Sequence, residues 1–82
     1  MTEKEFLKLK IQDQLMIVFD SGEEIASRLY AAFSIKLYSI FDFYIEVWYI
    51  KNENKVDRLN IIDTEKVSRL YSSAIDITDI FK

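Results

Sequence analysis

With 82 residues, half of them hydrophobic and 15% aromatic, and a formal net charge of -3, the chain has enough apolar material for one packed domain spanning 1–82 and too much for a disordered one. The absence of cysteine and histidine removes disulfides, thiol nucleophiles, the commonest general base and the commonest metal ligand, so neither an enzyme nor a bound metal or cofactor is expected. No apolar run approaches the roughly 18 residues of a membrane span, and the N-terminus is charged rather than signal-like, which makes a soluble cytoplasmic protein the default expectation.

Thr2-Glu-Lys-Glu5 reads as a capping box, the Thr2 hydroxyl and the Glu5 carboxylate each able to satisfy a free amide of the first helical turn. Leu7, Ile11, Leu15 and Val18 then share one helical face, flanked by Phe6, Met16 and Phe19. The pattern loosens around Lys8 to Ile11, so one continuous helix and two consecutive helices fit equally well. Gly22, the only glycine, follows the periodic run where a left-handed C-terminal cap would end the helix.

Glu23 to Phe33 fits either period. As a helix it offers Ile25, Leu29 and Phe33; as a strand it offers Ile25, Ser27, Leu29 and Ala31 on one side. A strand is favoured because it enlarges the sheet on which the helices must pack. Ser34 to Ile40, Phe43 to Ile50 and Val56 to Ile62 read as further strands, joined by a tight connection near Phe41 to Phe43 and by the turn Lys51-Asn-Glu-Asn-Lys55.

An odd-length loop centred on Glu53 gives the last two strands one consistent apolar face. It sets Ile45 opposite Ile61, Val47 opposite Leu59 and Tyr49 opposite Asp57; the other face pairs Tyr44 with Ile62, Glu46 with Asn60 and Trp48 with Arg58. A three-residue connection at Phe41 to Phe43 adds Ile35 and Leu37 to the apolar face, leaving Lys36 beside Trp48 and Tyr38 beside Glu46, with Arg28 and Tyr30 on the neighbouring strand. After the sheet, Asp63 caps a helix with Glu65 in its first turn and a stripe of Val67, Leu70, Tyr71 and Ala74. Ile75, Ile77, Ile80 and Phe81 suggest a tail that docks as a short turn. The expected fold is α+β: an N-terminal helix, a three- to four-stranded antiparallel meander and a C-terminal helix, with the helices on one face of the sheet.

Lys36-Leu-Tyr38, Phe43-Tyr-Ile-Glu-Val-Trp-Tyr49, the asparagine-containing turn and Ile75-Asp-Ile77 resemble short, uncharacterised bacterial proteins built around an F-Y-[IV]-E-V-W-Y strand. Gly22 and Arg28 fit that pattern, while Asp42 stands where glycine is common. The resemblance spans most of the chain and implies one intact domain with no catalytic residue to transfer.

Groups that carry chemistry are few. Asp76 and Asp79 could approach one cation, but two carboxylates without a third oxygen donor are more simply caps or solvated groups. Glu46 interrupts a hydrophobic strand, and three roles are open to it: a satisfied structural network with Tyr38, Asn60 and Arg28, a polar anchor in a binding surface, or a catalytic acid. Trp48 between Lys36 and Arg58 suits either a cation–π shield over the sheet or an interface anchor. Residues 1–27 carry three basic and six acidic groups, residues 28–58 five and four, and residues 59–82 three and four, so the basic excess that phosphate neutralisation needs is missing and nucleic acid is not an expected partner.

Two functional readings remain. In the first, the chain is a non-enzymatic interaction module whose outer aromatic face, with Arg28, Lys36, Tyr38, Tyr44, Glu46, Trp48, Ile50 and Arg58, holds a protein partner or a second copy in a homodimer. In the second, it is a small acidic inhibitor or antidote protein of a mobile element, binding a protein target through Glu3, Glu5, Glu23 and Glu24.

Overall fold

The computed structural model describes residues 1–71. They form α1 (Glu3–Leu7), α2 (Ile11–Ser21), β1 (Glu23–Tyr30), β2 (Phe33–Ile40), β3 (Phe43–Ile50), β4 (Lys55–Ile62) and α3 (Thr64–Tyr71). The four strands make one antiparallel meander in the order β1-β2-β3-β4. The expected α+β class and element order are therefore present, with two helices rather than one before the sheet and Glu23–Tyr30 as a strand. The expectations for Ala74, Asp76, Asp79 and the apolar tail lie outside the described residues. No helix among the described residues is long and apolar enough to cross a membrane.

The capping box forms as read: the Thr2 hydroxyl accepts the Glu5 N–H at 3.2 Å, and the Glu5 carboxylate accepts the Thr2 N–H at 3.0 Å. That backbone N–H is the main reason the Glu5 carboxyl is held below its ordinary value. The break between α1 and α2 decides which apolar residue turns inward. Phe6 is buried, edge-on to Phe43 at 5.8 Å, while Leu7 is exposed. The Gln14 side chain then staples α2 to α1 by donating to the Phe6 carbonyl at 3.0 Å.

Gly22 ends α2 for a different reason from the one expected. Its φ is -85°, an ordinary value for any residue. Its N–H donates to the Val18 carbonyl at 2.8 Å, and a Cβ added at Gly22 would stand 2.6 Å from that same oxygen. Close approach, not left-handedness, selects glycine here.

Between β3 and β4 the expected pairs from Tyr44–Ile62 to Trp48–Arg58 all occur. The last one does not: a bulge at Asp57 sets Tyr49 opposite Val56, so the loop is the four residues Lys51 to Asn54 and the bulge takes up the odd residue. Between β2 and β3 the register departs by one residue. The connection is Phe41-Asp42, placing Ile35 opposite Trp48, Lys36 opposite Val47, Leu37 opposite Glu46 and Tyr38 opposite Ile45. Because side chains alternate, this slip turns the whole of β2 over.

The consequence is a sheet that is apolar on both faces. One face carries Tyr38, Ile40, Phe43, Ile45 and Val47, buried with Phe6 and Val18 under α1 and α2. The other carries Ile35, Leu37 and Ile62, with Leu37 and Ile62 packed against Tyr71 of α3. The expectation that all helices share one face is thus corrected: α1 and α2 cover one side and α3 the other, since each face holds side chains worth about 1.5–3 kcal/mol apiece when removed from water.

The two-residue turns that impose this register are strained. Ala31 and Phe41 have φ of 52° and 53°, and only the first residue of each pair is positive, the pattern of a type II′ turn that glycine normally fills. Two glycine exchanges of opposite sign test this account. Ala31→Gly should raise stability by up to about 1 kcal/mol, the left-handed penalty less the entropy of an unfolded glycine. Gly22→Ala should lower it by about 1–3 kcal/mol through overpacking against the Val18 carbonyl. Urea denaturation of both variants measures the two effects.

Candidate functional site

The α3 face is organised by a charge. Glu46 lies mid-strand in β3 at 3% exposure, on the face that α3 covers. Two elements converge to satisfy it. Arg28 of β1 reaches across β2, its Nε donating to Glu46 Oε2 at 3.1 Å. Tyr71, at the end of α3, donates its hydroxyl to the same oxygen at 2.5 Å. Helix α3 is started by Asp63, whose carboxylate accepts the Lys66 N–H at 2.8 Å. Val67 and Tyr71, four residues apart, face the sheet.

The electrostatics of the trio agree with the geometry. Burial alone would lower the Arg28 pKa, but the hydrogen bond to Glu46, with Tyr71 beside it, lifts it above its ordinary value. Burial, followed by the Glu46 carboxylate that its hydroxyl bonds, pushes Tyr71 well up. One Glu46 oxygen thus accepts two hydrogen bonds, one of them from a guanidinium.

Beyond Glu46 on the same face stands Trp48. The guanidinium carbons of Arg28 and Arg58 lie 5.5 and 4.9 Å from its ring. Phe33 and Tyr30 approach it edge-on at 5.2 and 6.1 Å. Its indole Nε1 is out of solvent and has no acceptor among the described residues, while Tyr30 at the margin is 59% exposed. The face therefore has two halves: a Glu46 half closed by α3, and a Trp48 half rich in aromatic rings and guanidinium groups.

Of the residues read from the sequence as an interaction surface, Arg28, Tyr44, Glu46, Trp48, Ile50 and Arg58 share this face. Lys36 and Tyr38 do not: the two-residue turn carries them to the α2 face, opposite Val47 and Ile45. The cation on the second side of Trp48 is consequently Arg28, and the hydroxyl on Glu46 belongs to Tyr71 rather than Tyr38. Phe33 and Tyr71 were not assigned to the site by their sequence positions. Tyr71 stood in the helical stripe with Val67, but periodicity does not say which sheet face a helix will choose. Among the described residues no three groups from histidine, cysteine, aspartate and glutamate lie close enough to hold a metal ion.

Arg28→Met keeps most of the packing stem but leaves Glu46 buried without a counter-charge, and should cost about 3–5 kcal/mol. Tyr71→Phe removes one hydrogen bond to a charged group and should cost about 1.5–3 kcal/mol. Because both partners share one oxygen, the double variant should lose less than the summed cost, measurable as a urea double-mutant cycle. Alkali gives a separate check. Tyr71 is raised, and Tyr38 on the opposite face is pushed up to about 12, first by burial and then by Tyr49 and Glu24. The folded state prefers both in protonated form, so their contribution is intact below the ordinary tyrosine value of 10.0 and is lost progressively as pH rises beyond it. Unfolding midpoints should fall above about pH 10, and less steeply in Tyr71→Phe.

Comparison of the chain with protein-family models, with curated proteins and with solved structures finds no match in any of the three.

Proposed function

We propose that the chain is a non-enzymatic protein-interaction module and that its contact surface is the Trp48 half of the α3 face, used for association with a second copy of itself. The observation that carries this reading is the gathering of Tyr30, Phe33, Arg28 and Arg58 around Trp48, at 4.9 to 6.1 Å from its ring, on a part of the sheet where Tyr30 is largely exposed. Tryptophan, tyrosine and arginine are the residues over-represented where binding energy concentrates. Planar rings and guanidinium groups already packed against one another lose little conformational freedom on docking.

A catalytic role for Glu46 is less well supported. A concavity of about 500 Å³ between β4 and α3 does reach it, rimmed by Asn60, Lys66 and Arg69. The carboxylate is engaged by Arg28 and Tyr71, however, and the sequence has no histidine or cysteine to share acid–base or nucleophilic work. Of the four acids in the inhibitor reading, Glu3, Glu5, Glu23 and Glu24, Glu5 is engaged in its cap and Glu24 shares an exposed ion pair with Lys36.

Sedimentation equilibrium tests the proposal. The native chain should populate a dimer that Tyr30→Ala combined with Arg58→Glu converts to monomer without a change in far-ultraviolet circular dichroism. A native chain that stays monomeric at every concentration overturns self-association, and a dimer indifferent to both substitutions overturns this choice of surface.

A further inference from the structure

Among the described residues, the α2 face of the sheet is roofed over only part of its length. Helices α1 and α2 cover Tyr38, Ile40 and the Phe43 to Val47 stretch. Toward the β1–β2 and β3–β4 turns a concavity of about 610 Å³ remains, lined by Leu29, Ser34, Lys36, Tyr49, Ile50, Lys51 and Asn54. Sites for small molecules occupy about 300–1,000 Å³. The walls are held in place: the Lys51 N–H donates to the Ala32 carbonyl at 3.0 Å, tying the two turns together above the concavity.

The polar groups here have a definite sense. The Lys36 ammonium lies 3.5 Å from the Glu24 carboxylate and 5.7 Å from the Tyr49 ring centre. On the same face is Tyr38, whose hydroxyl is a hydrogen-bond donor. Lys51 forms no ion pair among the described residues. Leu29 is 70% exposed and adds apolar surface to the rim. Glu24 and Lys36 are themselves 47% and 42% exposed at the side chain, and an ion pair so open to water is weak and exchangeable. In the free protein, then, the mouth of a ligand-sized concavity already holds a carboxylate, supplied by the chain, on a lysine backed by a tyrosine ring.

We propose that this concavity is a binding site for a small organic anion, a carboxylate or phosphate monoester attached to a compact apolar or aromatic body. Its head group replaces Glu24 on Lys36 and is met by Lys51; its body lies on Tyr49 and Leu29. The site is on the opposite side of the sheet from Trp48 and is independent of the self-association proposed above.

Amide NMR titration with phenyl phosphate and, separately, with benzoate tests the site at constant ionic strength. Saturable shifts at Ser34, Lys36, Tyr49 and Lys51 are expected with at least one probe, and the tighter probe identifies the head group. Lys36→Gln should weaken binding about tenfold, the loss of one charge-assisted contact. Glu24→Gln should tighten binding about threefold by removing the internal competitor, an effect opposite in sign to that of damage to the fold. Both substitutions fall on half-exposed side chains, and the unperturbed amide spectrum of each variant reports that the fold is retained. Absence of saturation with either probe, equal shifts from sodium chloride, or weaker binding by Glu24→Gln would overturn the proposal.

Discussion

The burial of Glu46 is the constraint around which the described fold is arranged. At its place in β3 the carboxylate is covered by Arg28 and α3, and turning β3 over would take Ile45 and Val47, both fully buried, out of the α2 core. The charge therefore stays inside, and an uncompensated charge there costs several kcal/mol. Arg28 supplies the counter-charge from β1, two strands away, and Tyr71 supplies a donor from α3. One oxygen atom thus links the edge of the sheet, its centre and the final described helix. Such a network adds little net stability over an apolar replacement; its effect is on specificity, because any seating of α3 that withdraws Tyr71 leaves the charge less well matched.

The second constraint is steric and lies in two turns. Two-residue connections at Ala31-Ala32 and Phe41-Asp42 put alternate residues of β2 on the faces opposite to those that a three-residue loop would choose. The chain accepts positive φ at Ala31 and Phe41, at about 1–2 kcal/mol each, and the resulting register places Ile35 and Leu37 on the α3 face and Tyr38 and Ile40 on the α2 face. A sheet with apolar residues on both faces needs cover on both, which is why helices flank it. Among the described residues, what α2 and α3 leave uncovered differs in chemistry. On the α3 side it is a cluster of rings and guanidinium groups; on the α2 side it is a concavity with lysines and hydroxyls. Aromatic rings and delocalised cations suit a protein surface, whereas compact ammonium groups around a hollow suit a small anion.

Much of the fold was legible in the residues themselves. The capping box at Thr2 to Glu5, the cap at Asp63, the asparagine-containing turn and the five pairs from Tyr44–Ile62 to Trp48–Arg58 all rest on interactions between neighbours in sequence or across one hairpin. Alternation within Phe43 to Ile50 likewise separated Ile45, Val47 and Tyr49 from Tyr44, Glu46, Trp48 and Ile50. That division placed Tyr44, Glu46, Trp48 and Ile50 on one surface, and the hairpin pairing added Arg58, because strand period is a local property.

The tertiary structure decided the rest. Phe41-Asp42 contains neither glycine nor asparagine, so nothing in its composition announces a positive φ, and only pairing with the finished β3 selects the two-residue turn that moves Lys36 and Tyr38 to the other face. The bulges at Ile25 and Asp57 are likewise set by what the neighbouring strand can pair with. Tyr71 is the clearest case. Helical period placed it in a stripe with Val67, but its partner is 25 residues away, and the side of the sheet it would bind depended on where the register had left Leu37, Glu46 and Ile62. Local sequence determined the elements and their alternation; contacts between residues distant along the chain determined which faces met, and with them the composition of both candidate sites.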